Sequence, residues 1–302
     1  MKHIIILTTL FFSLQLAAQD SKEKKAVQIF SSEKTINANT PETVGKGKMA
    51  FKVSHSFGDI AGKAGGIKNF FGLDNSTDVR IGFQVGLGKH FDVIAARAKG
   101  AGLQQRSFEL GFKYKLMEQL ENDPSHPLSV ALFVNTAIAT NKASSFPNQD
   151  NSYKDFSDRV SNVLQLIIAK KMGKVSLQLN PTFLTRGYAI SYDQKSMFAL
   201  GGAIRLPLVA NRLNLIVDYF HPFRREAVED SFRIKDNIKF SDPLGIGFEI
   251  ITSGHIFRLN FTNATEILEN RFIPRTISSW GKGQFRWGFA ISRNFTLWRD
   301  KK

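Results

Sequence analysis

The stretch Asp78-Val79-Arg80-Ile81-Gly82-Phe83-Gln84-Val85-Gly86-Leu87-Gly88 alternates without a break. In an extended chain Val79, Ile81, Phe83, Val85 and Leu87 share one face, and Asp78, Arg80, Gly82, Gln84, Gly86 and Gly88 share the other. Period two predicts a strand. The second face carries Arg, Gln and Gly, which suit a wet surface or lumen better than a soluble core. An apolar-out, polar-in strand repeated an even number of times is the sequence form of a transmembrane β-barrel.

Eleven more stretches follow the same rule. With the first they run Lys48–Phe57, Asp78–Gly88, Phe91–Lys99, Gln105–Leu116, Leu128–Ala139, Ser161–Lys170, Val175–Leu184, Ser196–Leu206, Arg212–Phe220, Leu244–Ile251, His255–Thr262 and Gln284–Phe295. Most match the roughly 9–11 residues that a tilted strand needs to cross a bilayer. The gaps alternate as well: segments such as Gly58–Thr77 and Asn263–Gly283 are long, and those between them are mostly short. Long loops on one side and tight turns on the other predict a single antiparallel barrel of about twelve strands, with both termini on the short-turn side. The third gap, Gly100–Gln104, is short where the rule wants a long one. A soluble sandwich would also alternate. It would not sort its loops by side, nor bury Arg80, Lys113, Glu249, Arg258 and Arg286 without partners.

The flanks set the domain plan. Met1-Lys2-His3, the apolar run Ile4–Leu16 and Ala17-Ala18 read as a signal peptide over 1–18. Residues 19–47 read as a periplasmic lead-in, and 48–298 as the barrel. There is no cysteine, which excludes a lipid-modified cysteine, disulfides and thiolate metal sites. Phe is abundant, 27 of 302 residues, as an apolar wall with aromatic rims requires. Trp280, Trp287, Trp298, Tyr114, Tyr188, Tyr192 and Tyr219 fall toward strand ends, where interfacial girdles sit. The net charge is +15. In an exported chain it points to lipid head groups and small anionic solutes rather than nucleic acid.

Several segments carry a family likeness: Val53-Ser54-His55-Ser56-Phe57-Gly58, Phe71-Gly72-Leu73-Asp74, Leu177-Gln178-Leu179-Asn180-Pro181-Thr182, Gly254-His255-Ile256-Phe257 and Gly288-Phe289. With these the chain resembles an uncharacterised (domain-of-unknown-function) family of outer-membrane β-barrel proteins in Gram-negative bacteria. The likeness spans about Ile29 to Phe295. It implies fold and outer-membrane location, with the lipids and the barrel-insertion machinery as partners, but no chemistry. Trp298, near the chain end, resembles the aromatic signal that such machinery reads.

Three functions fit. Alternation turns Lys52, Arg80, Lys113, Lys115, Arg205, Arg258 and Arg286 inward, against Glu109, Asp218 and Glu249. A basic lumen favours anions, so the leading expectation is a narrow, anion-leaning channel or solute-uptake barrel. Twelve strands leave a narrow bore, and a lumen packed with Arg–Glu pairs fits the pattern as well. That packing would make a non-conducting structural or docking barrel. The third reading is an outer-membrane lipid or ester hydrolase with a rim Ser/His site, for which His55 and His255 are the candidates. Ser54 and His55, as strand neighbours, face opposite sides and cannot pair. The six histidines show no ligand spacing, so no metal or cofactor is expected.

Overall fold

A computed structural model describes residues 24–299 apart from 101, 103, 104 and 211. The segment read as a signal peptide lies outside the described residues. Twelve strands close into one antiparallel barrel, each paired with its sequence neighbours and the last with the first. They are β1 Lys48–Asp59, β2 Ser76–Gly86, β3 Phe91–Gly100, β4 Arg106–Met117, β5 Ser129–Ala139, β6 Val160–Met172, β7 Val175–Arg186, β8 Ser196–Val209, β9 Leu213–Phe223, β10 Leu244–Ile251, β11 Ile256–Thr262 and β12 Arg286–Thr296. Closure satisfies every edge, as hydrocarbon demands, because an unpaired strand edge there has no water to bond. Among the described residues no helix is long and apolar enough to cross a membrane.

The pleat sorts the side chains as the alternation requires. On β2, Ile81 and Phe83 are more than two-fifths exposed, while Asp78 opposite them is wholly buried. Phe108 and Leu110 on β4 and Leu179 on β7 extend the same apolar exterior. Outward rings pair across strands, as Phe51 does with Phe83 and Phe183 with Phe198.

The short turns 87–90, 173–174, 210–212 and 252–255 stand at one end, and the connections 60–75, 140–159, 187–195, 224–243 and 263–285 at the other. Two helices lie in the long connections: α1 Glu226–Asp236 and α2 Glu269–Arg275. Tyr188 and Tyr192, expected at a girdle, instead pack with Val228 and Phe232 of α1 in a small loop core. Tyr114, Tyr219 and Trp298 do stand exposed at the wall.

The largest departure from the sequence reading concerns residues 19–47. Residues 19–23 of that stretch, read as a periplasmic lead-in, lie outside the described residues, and the 29–44 part lies inside the bore, where Ile29, Ala38 and Thr40 are completely buried. Only its root stays at the rim: Ala26 bridges Leu120, and the Val27 amide donates to the Gln119 carbonyl, both in the connection from β4 to β5. The cause is the wall, whose inward amides and charges need partners that a narrow bore cannot supply as bulk water.

Candidate functional site

The inserted segment is a small hairpin. Lys34 bridges Asn39, the Thr35 amide donates to the Ala38 carbonyl at 2.8 Å, and the Thr40 amide donates to the Glu33 carbonyl at 3.1 Å. Its tip closes around one carboxylate. Asp218 of β9 accepts at Oδ2 from the Thr35 hydroxyl (2.6 Å) and from the successive amides of Ile36 (2.9 Å), Asn37 (2.7 Å) and Ala38 (3.1 Å). Its Oδ1 accepts from Asn37 Nδ2 at 2.9 Å. Successive amides converging on an anion form a backbone nest, and here the anion belongs to the wall.

The rest of the hairpin is held by polar groups as well as by its buried Ile29, Phe30 and Ala38. Lys113 Nζ donates to the Glu33 and Glu42 carbonyls at 2.9 and 3.1 Å. Arg258 donates to the Thr35 carbonyl at 2.7 Å and to the Ser32 hydroxyl. Gln178 and Asn180 of β7 both donate to the Asn39 carbonyl, and Ser176 donates to the Ile29 carbonyl. Where the segment leaves toward β1, the Val44 amide donates to Asp92 at 2.9 Å.

From the other end, the connection 263–285 folds down to meet the hairpin. Glu269 at the start of α2 accepts from Lys34 Nζ at 2.5 Å and from Asn39 Nδ2 at 3.0 Å. Phe272 packs edge-on against Phe220, ring centres 5.3 Å apart. The Ile267 amide donates to Asp78, and Arg271 donates to Ser107. Hairpin, wall and α2 share one apolar cluster that includes Phe30, Phe133, Ile167, Phe220, Phe272 and Ile273. Two small cavities of 30 and 40 Å³ lie beside the hairpin. A vestibule of 380 Å³ lies above α2, between Arg186, Arg275, Phe232 and Ile190. The bore is filled.

The lumen charges named from the sequence, Lys52, Arg80, Lys113, Arg258, Arg286, Glu109 and Glu249, all turn inward, and most meet an opposite charge. Arg80 grips Glu109 through two bonds of 2.9 and 3.1 Å. Arg258 reaches Glu249 at 3.3 Å, and Arg286 pairs with Asp59. The count of seven basic to three acidic groups also missed Asp78 and Asp92, which are inward and fully buried. The interior is therefore closer to neutral than the sequence count suggests.

The two candidate histidines are not brought together. His55 faces outward near the long-connection end of β1, with Nε2 3.2 Å from the Ser76 hydroxyl and its ring stacked on Phe289. Among the described residues no carboxylate forms an ion pair or hydrogen bond with this ring, whose contacts include a serine hydroxyl, a Phe ring and the Ser56 backbone. His255 sits in the short turn 252–255 against Phe257.

Asp218 was in the inward count, but its role as the hairpin's anchor was not foreseen. One signal was present. Leu128–Ala139 and Ser161–Lys170 are apolar at both parities, which marks strands buried on both faces. A barrel strand can be so only if something fills the bore.

Residues 30–295 match the model of a family described as "Membrane bound beta barrel domain (DUF5777)". No curated protein matches the chain in sequence. Among solved structures it is similar to the NanC porin, at TM-score 0.46 and 6% identity over 82% of this chain and 100% of that one. It is also similar to an outer membrane channel from Pseudomonas putida F1, at TM-score 0.44 and 10% identity, covering 84% of this chain and 98% of that one. For the outer membrane phospholipase A from Escherichia coli the figures are 0.40 and 9%, covering 83% and 93%.

Proposed function

We propose, from the premise that this chain belongs to the membrane-bound β-barrel domain family, that it is a gated outer-membrane passage closed at rest by its own N-terminal hairpin. The signal-peptide reading of residues 1–18 supports export and a Gram-negative outer membrane. The observation that carries the gating is the kind of contact holding residues 29–44. The segment is tied at the rim by Ala26 and Val27 and continues into β1, and between these ends hydrogen bonds and charges hold it beside the apolar contacts of Ile29, Phe30 and Ala38. Polar contacts, unlike apolar ones, can be replaced by water when the segment withdraws, the neutral ones at about 0.5–1.5 kcal/mol each and those to charged groups at about 1.5–3 kcal/mol. Withdrawal would leave the pairing of all twelve strands intact.

Once the hairpin leaves, the inward wall carries Lys52, Arg80, Lys113, Lys115, Arg205, Arg258 and Arg286 beside Asp78, Asp92, Glu109, Asp218 and Glu249. Lys34 leaves with the hairpin and Glu269 stays. A mild lean toward small anions fits the basic share of that wall.

Planar-bilayer recording tests both parts. The full chain should conduct rarely, and a variant lacking residues 24–44 should conduct steadily, with a reversal potential displaced toward the anion limit. A deletion variant that folds and conducts no more than the full chain would leave the structural-barrel reading in place. A cation-side reversal potential would remove the anion preference while keeping the gate.

A further inference from the structure

The 30 Å³ cavity lies between the hairpin tip and the wall of β1, β11 and β12. It has room for one or two water-sized species and for no organic solute. Four cations line it, Lys34, Lys52, Arg80 and Arg258, against a single carboxylate, Glu266. Three of those cations are matched by an acid, Lys34 by Glu269, Arg80 by Glu109 and Arg258 by Glu249. Glu266 is matched in turn by Arg271 at 2.7 Å.

Lys52 is the exception. It is 9% exposed, and among the described residues no ion pair or hydrogen bond reaches its side chain. Glu33 shares the adjoining 40 Å³ cavity with it but stands outside ion-pairing distance. A buried ammonium without a counter-charge is strongly disfavoured, and it either loses its proton or acquires an anion. Here the surroundings supply an anion site. Three further cations face the same space, and hydroxyl and amide groups of Ser54, Asn260 and Thr262 line it.

We infer that a chloride-sized monovalent anion occupies this cavity, held by Lys52, the one cation there without an acid of its own, and by the polar groups that line it. Lys34, Thr35 and Asn37 come from the hairpin, so the site is complete only when the bore is closed. By linkage, a bound anion stabilises that closed state. The inference rests on the resting state described under the proposed function, and it names the small anion which that state retains.

Bromide is the probe. Crystals of the full chain grown with sodium bromide, measured at the bromine absorption edge, should show an anomalous peak in contact with Lys52 Nζ. The peak should vanish in Lys52→Met. No peak beside Lys52 in the wild type, or one that persists in Lys52→Met, overturns the inference. If Lys52→Met does not fold, the wild-type map alone decides. The outcome is independent of the bilayer recordings, since the barrel could hold bromide without conducting or conduct without holding it.

Discussion

Replacing Asp218 by Asn tests the gate at its most concentrated point. Asp218 is 1% exposed and accepts five hydrogen bonds from the hairpin tip, four of them on one oxygen. Asparagine keeps the shape and one carbonyl oxygen, so those four donors retain a neutral acceptor. The new amide nitrogen faces Asn37 Nδ2, donor against donor. Bonds to a charged acceptor contribute about 1.5–3 kcal/mol each and neutral ones about 1 kcal/mol. These bonds crowd one oxygen and are not additive, so the whole change should weaken the seated state by about 2–4 kcal/mol. At about 1.4 kcal/mol per factor of ten, the withdrawn population rises roughly thirty-fold to several hundred-fold. The chain has no cysteine, so Ala38→Cys, at a position with no exposure, supplies a clean reporter. Its reaction with a maleimide proceeds through the withdrawn state and follows that population. Labelling should be slow in the otherwise wild-type barrel and faster by the stated factor in Asp218→Asn. Asp218→Ala should label at least as fast, since it strands the same donors with no acceptor. Folded barrels of both variants that label no faster than the parent would refute the reasoning.

Three further outcomes follow from the same interior. Removing either Arg80 or Glu109 strands a buried charge, so Arg80→Met and Glu109→Met should each cost about 3–5 kcal/mol, and the double variant clearly less than their sum; thermal midpoints of the gel-mobility shift measure this. Burial alone would raise the Glu269 carboxyl, but Lys34, helped by a backbone amide and the Arg80 charge, holds it below its ordinary 4.5. Its stabilising pair is therefore present above the unfolded value and lost as pH falls through the folded one. Bilayer conductance should rise as pH falls through that lowered folded value, and in Lys34→Met, where there is no pair left to break, this acid-driven rise should be lost; an unchanged acid profile in Lys34→Met would rule out this pair as the acid-sensitive latch. A methyl group at Gly86 would stand 1.9 Å from the Gly45 carbonyl oxygen, where the hairpin turns into β1. Gly86→Ala should cost at least about 1–3 kcal/mol, whereas Gly254→Ala, with nothing within 4 Å of the added carbon, should leave the thermal midpoint almost unchanged.

Asp78–Gly88 already specified its own strand, its two faces and the inward direction of Arg80, because a pleated chain has no choice but period two. Repetition of that pattern, with loop lengths sorted by end, specified the closed barrel. His55 was likewise turned outward by parity alone. These are local properties, readable from one strand and its neighbours.

Who meets whom inside the bore is a different matter. Lys34 and Glu269 are 235 residues apart, and nothing in either neighbourhood announces the other. The segment Thr35-Ile36-Asn37-Ala38 reads as an ordinary polar linker, and it becomes an anion-gripping turn only when the wall presents Asp218 to it. The doubly apolar strands β5 and β6 hinted that the bore is filled, without saying by what. The sequence by itself therefore determined the wall, because alternation and strand closure are imposed residue by residue by the backbone and the bilayer. Only the tertiary structure decided that the bore is occupied by the chain's own hairpin and by α2. Buried charges choose partners by distance in three dimensions, and that distance exists only after the barrel has closed.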